Sequence, residues 1–156
     1  MTTPVDIAAL ANLLQEAAVQ EILPRFRNLG VGDVRMKTEA IDLVTEADEA
    51  AERVIRKGIE SLMPDALFVG EETVAADPDL LARLQGADLA VVVDPIDGTF
   101  NFASGLTLFG MILAVVSKGE TVAGVIYDPV GNDWALVEKG SGAWLYRTDG
   151  SQEQMF

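Results

Sequence analysis

Two stretches of this chain carry apolar residues at helical spacing, and six later stretches carry them in short continuous runs. Over 6–29 the apolar face is Ile7, Leu10, Leu14, Ala17 and Ala18, with Glu21 next in the series and Gly30 as the stop, and Pro24 bends the helix or ends it earlier. Over 42–63 a stripe of Ala47, Ala50, Ala51, Val54, Ile55, Gly58, Ile59 and Leu62 runs up to Pro64. Thr45, followed three places on by Asp48, predicts a capping-box start for that second helix. The connection at 31–40 mixes glycine with both charge signs and reads as an exposed loop with room for a short strand.

The continuous runs lie at 66–69, 89–93, 108–116, 121–127, 134–137 and 143–146, and their β-branched content predicts strands. Between the first two, 75–86 reads as a loop and a short helix with a proline start. The last four strands follow one another through short connections such as S-K-G-E and E-K-G-S-G. That succession predicts an antiparallel sheet on which the two N-terminal helices bury their stripes, an α+β fold. The polar stretch 147–156 predicts no further element.

Chemistry gathers where the run 89–93 ends, in L-A-V-V-V-D-P-I-D-G-T-F-N. Pro95 cannot donate to a sheet ladder and pushes Asp94 toward extended backbone, so the strand is expected to stop at Asp94 with its carboxylate directed outward. Gly98 permits close approach of backbone to a ligand, and Asp97 or Thr99 is placed to cap a short helix over 100–103. Two carboxylates, the Ile96 carbonyl and helix N-terminal amides in one corner suit a hard divalent cation on one side and a phosphate on the other. Read alone, D-P-x-D-G is also an ordinary surface turn. Two sharper motifs fail: in the D-x-D-G-T pattern of haloacid-dehalogenase-type phosphatases Pro95 would occupy the nucleophile's place, and in an EF-hand loop counted from Asp94 the final glutamate would be Gly105.

Composition narrows the chemistry further. The chain has 156 residues, 49% of them apolar and 23% charged, which is enough for one domain with a real core. It contains no cysteine and no histidine, so disulfides, thiolate or imidazole metal sites and histidine-based triads are excluded. A net charge of -14 repels nucleic-acid backbones and anionic membranes. No apolar segment approaches the length of a membrane span, and M-T-T-P-V-D has neither a basic start nor an apolar leader, so a cytoplasmic protein is expected.

Acidic residues cluster at Asp42/Asp48, Glu71/Glu72 and Asp94/Asp97, each just after a predicted strand or at a helix N-terminus. Asp42, Glu46, Asp48 and Glu49 crowd the start of the second helix, where helix electrostatics alone is a sufficient alternative explanation, least so for Asp48. The adjacent glutamates, read on an extended segment, point to opposite faces, so only one of the pair is placed to face a shared site and the other belongs to its surroundings. Three such clusters in a chain without histidine or cysteine point toward an oxygen cage of magnesium type.

K-x(4)-D-L-V-T-E-A-D, G-E-E-T and D-P-I-D-G-T-F-N-F, in this order, resemble the inositol monophosphatase family of lithium-sensitive, magnesium-dependent phosphomonoesterases, and the likeness extends through G-V-I-Y-D-P and E-K-G-S-G-A. The resemblance implies the first half of an αβαβα sandwich. It implies two or three Mg2+ ions held by Glu71, Asp94, Asp97 and the Ile96 carbonyl, with Thr99 and Asp48 activating or orienting the attacking water and Glu71 assisting. The Gly98 and Thr99 amides would hold phosphate, and Lys37 would lie on a mobile loop near the entrance. Family members carry a further metal-binding aspartate in a W-D motif of a second domain, whereas here Trp134 is preceded by Asp133. The expectation is therefore a metal-site domain at 1–146 and the start of a second domain at 147–156, in a fragment of a longer protein. The implied partner is a small phosphorylated substrate, inositol 1-phosphate first, with histidinol phosphate, sugar bisphosphates and nucleotide 3'-phosphates as alternatives; a homodimer is expected because a one-domain fragment exposes apolar surface that associates. The competing class is a non-catalytic module that binds metal or protein.

Overall fold

A computed structural model of the chain describes residues 5–36 and 43–155. Lys37 and Asp42, both singled out in the sequence, lie outside the described residues. Helix α1 (Ile7–Ala17) begins where Asp6 Oδ1 accepts the Ala9 amide at 3.0 Å, and it runs on into a π-helical turn over Ala18–Ile22. The helix expected to reach Leu29 thus ends early, because Pro24 has no amide hydrogen to continue the ladder. Strand β1 (Val34–Met36) pairs antiparallel with β2 (Leu43–Thr45), which leads directly into α2 (Glu46–Leu62).

The remaining elements are β3 (Leu67–Gly70), α3 (Glu71–Ala76), α4 (Leu80–Gly86), β4 (Leu89–Asp97), α5 (Thr99–Ala103), β5 (Gly110–Ser117), β6 (Glu120–Asp128), β7 (Asp133–Glu138), β8 (Gly142–Tyr146) and β9 (Gln152–Gln154). Strands β3 to β9 form one sheet in sequence order. All its neighbours are antiparallel except β3 and β4, which run parallel and are connected through α3 and α4. The sheet is therefore mixed, and it gains an edge strand, β9, where the polar composition of 147–156 predicted none. A polar edge strand needs no apolar run, since its pairing rests on backbone hydrogen bonds to β8.

Helices α1 and α2 pack on one face of the sheet. Leu10 and Leu14 of α1 and Ile55 and Ile59 of α2 are buried against Val91, Val93, Met111, Leu113, Val115, Val125 and Tyr127. On β5 the alternation is clean: Met111, Leu113 and Val115 face the helices and their neighbours do not. Each large side chain so buried contributes about 2 kcal/mol, which explains why these stripes govern the architecture. At one end of the sheet Phe26, Phe102 and Phe109 form an aromatic cluster with ring centroids 5.1 to 5.7 Å apart. That cluster fixes short helix α5 against the start of β5.

Candidate active site

The parallel pairing of β3 with β4 is what assembles the site. Its register places Gly70 beside Val93, so the next residue on each chain, Glu71 at the start of α3 and Asp94 still within β4, follows at the same level. This is the carboxyl end of a parallel strand pair, the usual location of ligand sites in such sheets. Glu71 and Glu72 do not alternate across a strand as their sequence context suggested; they open α3, with Gly70 as its N-cap. The extended chain of β3 ends at Gly70.

Strand β4 also continues past Asp94 instead of stopping there. Asp94 pairs with Ile112 and Asp97 with Gly110, so β4 carries one more residue than β5 over this interval, a bulge centred on Pro95 and Ile96. Aspartates three apart on an unbroken strand would face opposite sides, and the extra residue removes that alternation. Gly98 follows with φ of +91°, and a Cβ there would lie 3.0 Å from the Leu108 carbonyl oxygen and 3.3 Å from the Phe109 Cα. The glycine is required by the turn and by the chain's own backbone across it. Neither Asp97 nor Thr99 caps the helix that follows: Gly98 is the N-cap and Thr99 the first helical residue of α5.

Asp94 is the group under most electrostatic load. Burial first, then the charges of Glu71 and Asp97 and a hydrogen bond with Glu71, push its carboxyl up to about 7, with only the Ile96 amide acting in the other direction. One of its oxygens, Oδ1, is buried without a hydrogen-bond partner. A buried oxygen left in this state is costly unless a proton or a cation meets it. Asp97 itself is exposed.

Beside this acidic group stands an ordered hydroxyl. Asp48, 1% exposed, uses Oδ2 to accept the Thr45 amide at 2.7 Å and the Thr45 hydroxyl at 2.5 Å, completing the capping box of α2. Its other oxygen, Oδ1, is 3.1 Å from the Thr99 hydroxyl, which also lies 2.9 Å from the Ile96 carbonyl oxygen. One hydroxyl proton cannot fully satisfy both acceptors, so the Thr99 proton is shared between Asp48 and Ile96. Burial raises the Asp48 carboxyl above its ordinary value, the bonds from Thr45 and Thr99 oppose this, and the Glu71 charge adds to the rise. Glu71 thereby connects the two halves electrostatically, acting on both Asp48 and Asp94.

The structure thus links Asp48, Glu71, Asp94, Ile96, Asp97 and Thr99 through hydrogen bonds and charge, with Gly98 at the turn between them. Glu46 and Glu49 are turned elsewhere, pairing with Arg53 at 3.1 Å and Arg35 at 2.7 Å. Among the described residues no three carboxylates already stand in a ligating arrangement around one point. The residues nevertheless fit a hard cation: the donors are all oxygens, and the unpartnered Asp94 Oδ1 sits among like charges.

Sequence reasoning overlooked Glu52. It is 4% exposed, and its two oxygens accept the Glu72 amide at 2.7 Å, the Thr73 amide at 2.8 Å and the Thr73 hydroxyl. A signal existed, since Asp48, Glu52, Ile55 and Ile59 follow one another at spacings of 4, 3 and 4 and so share one face of α2.

The model of the inositol monophosphatase family matches residues 4–155. The chain belongs to that family. Among inositol monophosphatase relatives, the Thermotoga maritima protein named fructose-1,6-bisphosphatase/inositol-1-monophosphatase is 38% identical over 115 residues, covering 74% of this chain and 41% of its own. The Escherichia coli K12 protein named Nus factor SuhB is 40% identical over 114 residues, covering 70% of this chain and 40% of its own. The solved structure of Thermotoga maritima IMPase superposes with a TM-score of 0.74 at 31% identity, covering 89% of this chain and 50% of that one. The chain spans about half the length, or less, of these inositol monophosphatase relatives. The α+β sheet with its N-terminal helices is the first part of the inositol monophosphatase fold.

Proposed function

We propose that this family member contributes the metal and phosphate side of an active site that hydrolyses a small phosphate monoester with Mg2+. The observation that carries the reading is Asp94, whose buried, unpartnered oxygen and raised carboxyl lie beside Glu71 and Asp97 and within the network that includes Thr99 and Asp48. Glu71, Asp94, Asp97 and the Ile96 carbonyl would hold magnesium. When bound, that cation lowers the pKa of water and offsets charge on the phosphate oxygens. Asp48 keeps its orientation because Thr45 occupies its other oxygen, so it accepts the Thr99 proton from a fixed direction. Thr99 then offers an oxygen lone pair to the attacking water and receives that water's proton as the bond to phosphorus forms. The phosphorus–oxygen bond to the alcohol breaks, the departing oxygen takes a proton from solvent water, and Asp48 returns to solvent the proton it received from Thr99, which restores the starting state. The Gly98 and Thr99 amides, at the start of α5, are assigned to the phosphate oxygens.

Inositol 1-phosphate is the first candidate substrate. A sugar bisphosphate is the second, favoured by the paired name of the Thermotoga maritima relative. Histidinol phosphate and nucleotide 3'-phosphates complete the panel. The test is phosphate release from each substrate with Mg2+ and with a chelator. Magnesium-dependent release that is lost in Asp94→Asn supports the reading. Absence of release from every monoester, in a full-length protein that binds Mg2+, refutes it in favour of a non-catalytic module.

A further inference from the structure

Helix α3 begins with an unusual arrangement. Its N-cap is Gly70, which has no side chain to meet the amides of the first turn. Those amides are met from another helix: Glu52 of α2 accepts the Glu72 amide through Oε2 at 2.7 Å and the Thr73 amide through Oε1 at 2.8 Å, and the Thr73 hydroxyl donates to the same Oε1. A carboxylate that is 4% exposed is tolerated only when its oxygens are fully engaged, and α3 supplies all three of these donors.

Gly70 is fitted to the same carboxylate. A Cβ at that position would lie 2.3 Å from the Glu52 Cδ and 2.4 Å from its Oε1. Its φ of -106° is open to any residue, so what demands glycine here is space for Glu52. The residue between this glycine and the two captured amides is Glu71, the carboxylate that meets Asp94.

We infer that Glu52 is the positioning residue for Glu71, its buried carboxylate gripping the first turn of α3 from α2 and setting the direction in which Glu71 meets Asp94. Asp48 lies one helical turn before Glu52 on the same face of α2, and it holds Thr99. One rigid helix therefore spaces both halves of the site, Asp48 toward α5 and Glu52 toward α3. The inference rests on the proposed role of Glu71 as a magnesium ligand.

The test compares Glu52→Gln, Gly70→Ala and Glu71→Gln in the full-length protein by titration calorimetry with Mg2+ alone and by amide exchange without metal. Glu52→Gln places an amide donor against a backbone donor of α3, and Gly70→Ala pushes the same carboxylate aside from β3. Both should weaken Mg2+ binding about 10- to 100-fold, the range for groups that orient a metal ligand. Both should also accelerate exchange of the Glu72 and Thr73 amides while the slowest core amides are unchanged. In turnover, the Mg2+ concentration for half-saturation should rise by more than kcat falls. If Glu71→Gln weakens Mg2+ binding while folded Glu52→Gln and Gly70→Ala bind as the wild type does, the positioning role is wrong and the magnesium site stands. If Glu71→Gln itself leaves binding unchanged, the proposed site is wrong. Should Glu52→Gln and Gly70→Ala fail to fold, Thr73→Val decides: it removes one donor and keeps both amide bonds, and it should weaken Mg2+ about fivefold, whereas wild-type affinity overturns the inference.

Discussion

Replacing Asp94 by asparagine should make the metal-free protein more stable above neutral pH, and magnesium should reverse the order. In the folded chain the Asp94 carboxyl is pushed up to about 7, whereas in an unfolded chain it returns to the ordinary aspartate value. The folded state thus holds a proton that the unfolded state has released over the interval between. The stability tied to that proton is complete below the unfolded value and disappears as pH rises through about 7. The full shift would correspond to about 4 kcal/mol, and partial exposure of the group reduces this to about 2 kcal/mol. The amide introduced by Asp94→Asn keeps a donor toward Glu71 at every pH and has no proton to lose, so the variant lacks this dependence. The assay is thermal unfolding of both proteins at pH 5 and pH 8 in chelator, then in excess Mg2+. In chelator at pH 8 the variant should melt about 4 to 8 °C above the wild type, with the gap narrowed to roughly a third of that at pH 5. Mg2+ at about 100 times its dissociation constant should then add about 2.7 kcal/mol to the wild type and much less to the variant. Parallel pH profiles in chelator, or equal stabilisation of both proteins by Mg2+, would refute the account of Asp94.

Substitutions at three further positions probe other links. Thr99→Val removes the hydroxyl between Asp48 and the Ile96 carbonyl and should lower kcat about a hundredfold or more with small change in Mg2+ affinity, whereas Thr99→Ser retains most of the rate; steady-state kinetics at saturating Mg2+ separates them. Gly98→Ala forces a side chain onto a φ of +91° and toward the Leu108 carbonyl, and urea unfolding should show a loss of about 1 to 3 kcal/mol. Phe102→Ala opens a cavity beneath α5 between Phe26 and Phe109 and should cost about 3 to 5 kcal/mol in the same measurement, with activity falling because the helix that carries Thr99 loosens.

What could be read from the sequence was whatever rests on local pattern. The α2 stripe, the Thr45–Asp48 box and a strand within 108–116 follow from the pattern of one segment, and the structure forms them, although Leu62 at the end of the stripe is exposed and the alternating burial of β5 is set by the helices on one face of the sheet. The D-P-I-D-G-T turn was legible as a convergence of oxygens, since proline, aspartate and glycine each restrict the chain within a few residues. Strand β4 was expected to end sooner because Pro95 removes one ladder bond, yet a bulge lets the strand resume at Asp97. The parallel pairing of β3 with β4 left no mark in either segment, and that pairing is what brings Glu71 to Asp94.

The glutamate pair shows why such contacts escape a reading by segment. G-E-E-T after a short apolar run is compatible with an extended chain, and nothing within it provides an acceptor for the amides of a helical first turn. The acceptor is Glu52, twenty positions before Glu72, and its carboxylate converts the segment into α3. The cost of burying that charge is met only if α2 and the end of β3 are already in register, so helix α3 forms as a consequence of tertiary packing and not before it. The same dependence makes the direction of Glu71 a property of the assembled sheet and helix. A change at Gly70 is therefore expected to reach Glu71, and with it the proposed metal side of the site, through the one carboxylate it crowds.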